Sequence, residues 1–301
     1  MAEAEAFVLE DKAGKQKREL WSSIRKRWRA LIISALLAAL YADVLASLVQ
    51  DWWGNESYSH GFLVVPLALY IAWKQSHAIF ATPVAPSANG LYATGTGCLL
   101  YVAGKLGAEF FATRISLVLV VAGLVWTFWG TMRLRQLAFP LLLIASVVPL
   151  PVIVYNSLAA PLQLLASNLA THATQFLGVS VYRDGNVIQL ANTSLGVAEA
   201  CSGLRSLGSL TVGALLLGFL ERFDIWSRAG IFVLAIPIAV FFNVVRVTGT
   251  ALLAERDPDL AMGFYHSISG WLIFVAGFGT LLLCTKILKY LLDRKQGALR
   301  A

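Results

Sequence analysis

The chain has 301 residues, 58% of them hydrophobic and only 14% charged, with a mean hydropathy of +0.70. A soluble domain carries about a quarter charged residues, so this composition excludes one and predicts an all-α polytopic membrane protein. The net charge of +7 implies no nucleic acid, because basic residues of such proteins collect in short cytoplasmic segments and meet anionic lipid headgroups there.

Residues 1–29 form a basic tail with eight Lys and Arg, expected in the cytoplasm. A transmembrane domain over 30–290 follows, and 291–301 make a second cytoplasmic tail. Eight windows are apolar and long enough to cross a bilayer as helices: 30–50, 60–76, 90–108, 114–131, 137–155, 203–220, 229–250 and 266–288. With the N-terminus inside, eighteen of the 24 Lys and Arg fall on the cytoplasmic side and six on the outer side or its edge. That asymmetry sets the orientation. The first window is too long, and its charged lead too extended, for a cleaved signal peptide, so a retained anchor is expected. The alanines around Ala38 and Ala42 keep cleavage as the competing reading. Three cysteines exclude a disulfide scaffold, and Cys98 and Cys284 sit in apolar windows where a thiol is a small hydrophobe.

The one long polar interruption, 156–200, is expected outside. Leu158, Leu162, Leu165, Leu169 and Phe176 share one helical face, with Gln163, Ser167, Thr171 and Thr174 on another. This suits a helix lying in the interface plane; a ninth span is the competing reading, opposed by the charge count. The runs 179–183 and 186–190 then flank Asp184-Gly185 as a β-hairpin.

That insert ends at Ala200-Cys201-Ser202-Gly203-Leu204-Arg205-Ser206-Leu207, where a thiol and a guanidinium stand at the meeting of polar and apolar segments. A reactive thiol needs nearby positive charge and solvent access; the alternative is a small-residue helix start with an inert cysteine. Arg205, one turn on, would support the thiolate or pair with a substrate carboxylate, unless Glu199 neutralises it. Arg246 falls near the outer end of the seventh window, three residues after Asn243 and on the same face. Placing a charge in mid-bilayer costs about 2.5 to 3.5 kcal/mol, so such an arginine is either functional or snorkels to headgroups. Of the histidines, His77 lies on the cytoplasmic side, and His60, His172 and His266 lie at or beyond the outer edge. His266 opens the last window, one loop from Arg246, and is the natural partner; His60 is expected to fix the second window against the same face.

These segments together resemble the exosortase/archaeosortase family. The Cys201 stretch is similar to its cysteine motif, Asn243-Val244-Val245-Arg246 to its arginine motif, and His266-Ser267-Ile268-Ser269-Gly270-Trp271 to its third motif. Trp52-Trp53 and Tyr58-Ser59-His60-Gly61-Phe62-Leu63 resemble its opening segment, and the likeness runs from about residue 40 to 290, leaving out the charged N-terminal tail. A histidine in the third motif is similar to the bacterial exosortase branch. The resemblance implies a membrane-embedded cysteine protease-transpeptidase at the outer face of the bacterial inner membrane. Its substrates would be exported proteins with a C-terminal sorting tail: a Pro-Glu-Pro-like motif, a transmembrane helix and a basic cluster.

On that reading the site residues are Cys201, Arg246 and His266, with Arg205, Asn243, Glu199 and His60 in supporting or substrate-binding places, and no metal or cofactor is called for. Cys201 would attack the scissile carbonyl, His266 would protonate the leaving amine, and Arg246 would stabilise thiolate or oxyanion; the last two roles are exchangeable. The competing class is a transporter or non-catalytic component of an envelope polysaccharide system. A transporter would carry two corresponding halves with broken helices, and no such repeat is visible.

Overall fold

Helix formation is driven here by long apolar runs whose backbone can be satisfied only within the segment once water is gone. The computed structural model describes residues 28, 31–55, 57–191, 193–197, 203–262 and 264–300, with side chains at all of these except 203–206, 260, 262, 264–267 and 295–300. The chain divides into a unit of residues 1–49 and a unit of residues 50–301. The apolar helix α1 (Leu31–Gly54) takes up the described end of the first unit, and its last residues belong to the second.

The second unit continues with α2 (Gly61–Lys74), α3 (Ser76–Ala81), α4 (Asn89–Leu106), α5 (Phe110–Trp129), α6 (Thr131–Ser146) and α7 (Val152–Phe176). Three strands follow, β1 (Tyr182–Asp184), β2 (Val187–Gln189) and β3 (Ser194–Gly196), and then α8 (Gly203–Leu220), α9 (Ile225–Arg256), α10 (Pro258–Met262) and α11 (Phe264–Arg300). The architecture is the expected all-α polytopic one with a small sheet. Five described segments are long and apolar enough to cross a membrane: α1, α5, α7, α9 and Ile268–Arg294 of α11. Each expected window overlaps a described helix, but the expected count of eight spans is not confirmed: α2, at 14 residues, reaches only about 21 Å and α6, at 16, about 24 Å, against a hydrocarbon layer of about 30 Å.

Two boundaries differ from the sequence expectation. The window 137–155 does not exist as one helix: α6 stops at Ser146 and α7 starts at Val152. The cause is Val148-Pro149-Leu150-Pro151, since proline lacks a backbone donor and pushes the residue before it out of the helical region. The segment from Ser157 is accordingly part of a continuous 25-residue helix, not a separate interfacial one. Its inward stripe is the small polar one, with Ala159, Ala166, Ser167, Ala170, Thr171 and Thr174 buried while Leu158, Leu165 and Leu169 face outward. Small residues let helix backbones approach closely where lipid occupies the other side.

The hairpin forms one residue later than expected. Asp184 pairs with Val187, so the loop is Gly185-Asn186. Gly185 has φ +60° and Asn186 does not have a positive φ, the pattern of a type II′ loop. The third strand, Ser194–Gly196, pairs antiparallel with β2 and had no sequence signal in its three residues.

An open sheet cannot sit in hydrocarbon, because its edge groups would go unsatisfied. Ile188, Leu195 and Val197 of this sheet region join one apolar cluster with Ala166 and Ala170 of α7, Val247, Ala251 and Ala254 of α9, and Ala261 of α10. The last third of α9 therefore lies beyond the hydrocarbon. Its length agrees: 32 residues make about 48 Å, well over the layer's thickness. A second cluster ties α8, α9 and α11 together through Leu210, Ala214, Ile231, Ala235 and Leu281.

Elsewhere α4 and α5 pair tightly. A Cβ at Gly97 would stand 2.7 Å from Val120 Cγ2, and one at Gly104 2.8 Å from Thr113 Cγ2. At the foot of this pair the buried Arg133 donates from Nε and Nη2 to the Thr82 carbonyl, at 3.0 and 2.7 Å. The α8–α9 turn is fixed by Asp224, which accepts from the backbone N–H groups of Trp226 and Ser227, and by Glu221, which accepts from Lys286 and Lys289 of α11 at 2.6 and 2.5 Å. Those two lysine hydrogen bonds hold the Glu221 carboxyl below its ordinary range.

Candidate active site

Arg246 sits on α9 one residue before the stretch that packs against the sheet, and is only 6% exposed. Its Nε donates to Ser269 Oγ on α11 at 3.2 Å. Its backbone carbonyl accepts from Thr250 Oγ1 at 2.9 Å, one turn further along α9. Asn243, one turn earlier and also buried, lines a narrow crevice with Ala159 and Gln163 of α7 and Leu207 of α8. Three helices thus converge beside the arginine, at the depth where α9 leaves the apolar phase.

His266 belongs to the first turn of α11, three residues before Ser269 and four before Gly270; its side chain is outside the described residues. Arg205 is placed in the first turn of α8, again without its side chain. Cys201 and Glu199 lie outside the described residues, although α8 begins two residues after Cys201 and its Leu207 borders the Asn243 crevice.

His60 is not brought to Arg246 by any described contact. It stands in a turn at the N-cap position of α2 without a side-chain capping bond, and its Nδ1 is buried without a partner among the described residues. Its neighbour Gly61 lies under the Trp52 indole, where a Cβ would be 2.5 Å from Trp52 Cε2. Trp52 Nε1 in turn donates to the Val147 carbonyl at 3.1 Å. This opening segment therefore clasps the ends of α1, α2 and α6. His172 is exposed, with Nδ1 2.8 Å from the Asn168 carbonyl. Cys98 is exposed on α4 and Cys284 half-buried on α11.

The chain matches the transmembrane exosortase family over residues 52–283. It belongs to that family. No curated protein and no solved structure matches it significantly. The matched region of this exosortase takes in the Trp52 clasp, α2 to α10, the first part of α11 and all three motif segments.

Sequence reasoning missed two groups. Ser269 and Gly270 lie within the third motif, and only the three- and four-residue spacing from His266 pointed to them. Arg114, one of the six basic residues counted on the outer side or its edge, is buried, paired with Asp51 at 2.7 Å and set over the Phe110 ring at 5.5 Å. That pair borders a cavity of about 420 Å³ that also exposes Tyr58, Glu109 and Tyr155. Burial pushes the Tyr58 phenol above its ordinary pKa, with Tyr155 and Asp51 adding to the effect. The partners are 63 positions apart in sequence, which no local pattern reports.

Proposed function

We propose that this exosortase is a membrane-embedded cysteine protease-transpeptidase that processes exported proteins bearing a C-terminal sorting tail, at the periplasmic face of the bacterial inner membrane. The observation carrying this reading is the buried Arg246 guanidinium, held by Ser269 on the helix that opens with His266. A guanidinium at the boundary of hydrocarbon and water is suited to stabilise a thiolate, because attraction between opposite charges strengthens where water is excluded. A free thiol of pKa about 8.5 is mostly protonated at neutral pH. Bringing it to about 6 takes roughly 3.4 kcal/mol of preferential stabilisation, at 1.36 kcal/mol per unit.

In the reaction, Cys201 Sγ forms a bond to the scissile carbonyl carbon and Arg246 takes up the charge developing on oxygen. Collapse breaks the C–N bond, with His266 delivering the proton to the leaving amine. The resulting thioester is attacked by an acceptor nucleophile; His266 takes its proton, the C–S bond breaks and the Cys201 thiolate is released. The substrate's own helix would lie beside the enzyme's spans, with its basic cluster in the cytoplasm and its scissile bond at the level of Arg246. Asn243, Arg205 and Glu199 steady the charges around the thiolate, and His60 belongs to the clasp that fixes α2.

The test is cleavage of a sorting-tail reporter. Cys201→Ala, Cys201→Ser and His266→Ala are expected to abolish it while the protein still inserts, whereas Cys98→Ala, Cys284→Ala and His172→Ala leave it near wild type. Cleavage at a normal rate by Cys201→Ala would remove the cysteine-protease reading.

A further inference from the structure

A guanidinium serves as a directed pair of donors only if its plane is fixed. Two contacts with α11 bear on the plane of Arg246. Nε is conjugated with the central carbon, so the bond from Nε to Ser269 Oγ, at 3.2 Å, holds one edge of the plane. Both residues are buried, at 6% and 4% exposure, so water cannot substitute for that bond cheaply. The next residue, Gly270, covers one face. A Cβ built there would lie 3.3, 3.5 and 3.7 Å from Nη2, Cζ and Nη1 of Arg246. Distances so nearly equal put that carbon over the plane, not at its rim. The nearest of them is tighter than ordinary van der Waals contact, so any larger residue at 270 would press the guanidinium away from α11.

We infer that Ser269 is a positioning residue for the Arg246 guanidinium, and that Gly270 provides the clearance that lets this group lie flat on α11. The inference rests on the reading of Arg246 as the cation serving the Cys201 thiolate. It also links the proposed acid-base group to the cation: His266 precedes Ser269 by one helical turn, so a rotation of α11 moves both together.

The experiment uses the full-length protein in proteoliposomes, in a Cys98→Ala/Cys284→Ala background. It reads kcat and KM for the reporter and the pH dependence of Cys201 alkylation by iodoacetamide. Ser269→Ala should lower kcat about five-fold at unchanged KM, the order that one hydrogen bond carries, and should move the alkylation midpoint to higher pH. Ser269→Thr, which keeps the hydroxyl, should restore both. Gly270→Ala should lower kcat with the serine intact. A purely structural interhelical hydrogen bond would instead lower thermal stability and leave the alkylation midpoint where it was. Wild-type kcat and midpoint in Ser269→Ala would overturn the proposal, as would a threonine variant that is folded but as impaired as alanine. Failure of the underlying reading is separately visible, because Cys201→Ala would then still cleave the reporter.

Discussion

Lysine lacks the nitrogen by which Arg246 is held. A snorkelling cation needs only charge and reach, but Arg246 is bound at Nε by Ser269 and lies against Gly270. Arg246→Lys is therefore expected to accumulate normally and to lose about a hundredfold in reporter turnover, the order seen when one directed donor to a developing oxyanion is removed. Asn243→Ala should be milder in the same direction. Near-wild-type turnover by the lysine variant would return Arg246 to a headgroup anchor. At this scale the sequence was informative where a residue type is improbable, as with an arginine inside an apolar run. It was silent about Ser269 and Gly270, which are commonplace in membrane helices and acquire meaning only from what packs against them. Asp51 and Arg114 show the same limit, being joined by the fold and not by spacing.

The helices themselves were mostly legible, because apolar runs of this length have few alternatives in lipid. The α6–α7 boundary was misplaced although Pro149 and Pro151 announced it, since hydropathy continues smoothly across them. In α7 the leucines were expected as the apolar face of an interfacial helix, and Leu158, Leu165 and Leu169 do face outward, while the Ala, Ser and Thr stripe is the one buried. Among helices in lipid, hydrophobicity does not tell inside from outside. The α4–α5 pair allows a direct check of this close-packing rule. Gly97→Leu would drive a side chain into Val120 and the α5 backbone, and an overpacking cost of about 1 to 3 kcal/mol is expected. Thermal melting of the purified protein should fall clearly, while Gly95→Leu, at a position with open space around it, should melt like wild type.

For the whole molecule, the expected topology puts both termini in the cytoplasm and the sheet region and α9–α11 connection outside. The structure adds a physical constraint that the charge count did not use: the sheet and the end of α9 share one apolar cluster, so they must be on the same side. Cysteines placed at Asp184 and Asp257 in a cysteine-free background should therefore both react with a membrane-impermeant maleimide added to intact spheroplasts. Labelling of only one would contradict the shared cluster, and protection of both would invert the orientation.

Helix α9 is also continuous from Ile225 to Arg256, with Pro237 in its interior; Glu221 and its two lysines tie the turn before it and the sheet cluster holds its far end. Such a helix cannot shorten much; it answers a change in bilayer thickness by tilting, by bending at the proline or by sliding through the interface. The depth of Arg246 is thus set by the lipid as well as by the protein. Reconstituted into phospholipids of increasing acyl-chain length, the enzyme should pass through an activity maximum. On the proposed function, thicker bilayers would draw the guanidinium into hydrocarbon, and in thinner ones the scissile bond of a sorting-tail substrate would no longer rise to meet it. The wall of the membrane would then act as the gauge against which this enzyme measures where to cut.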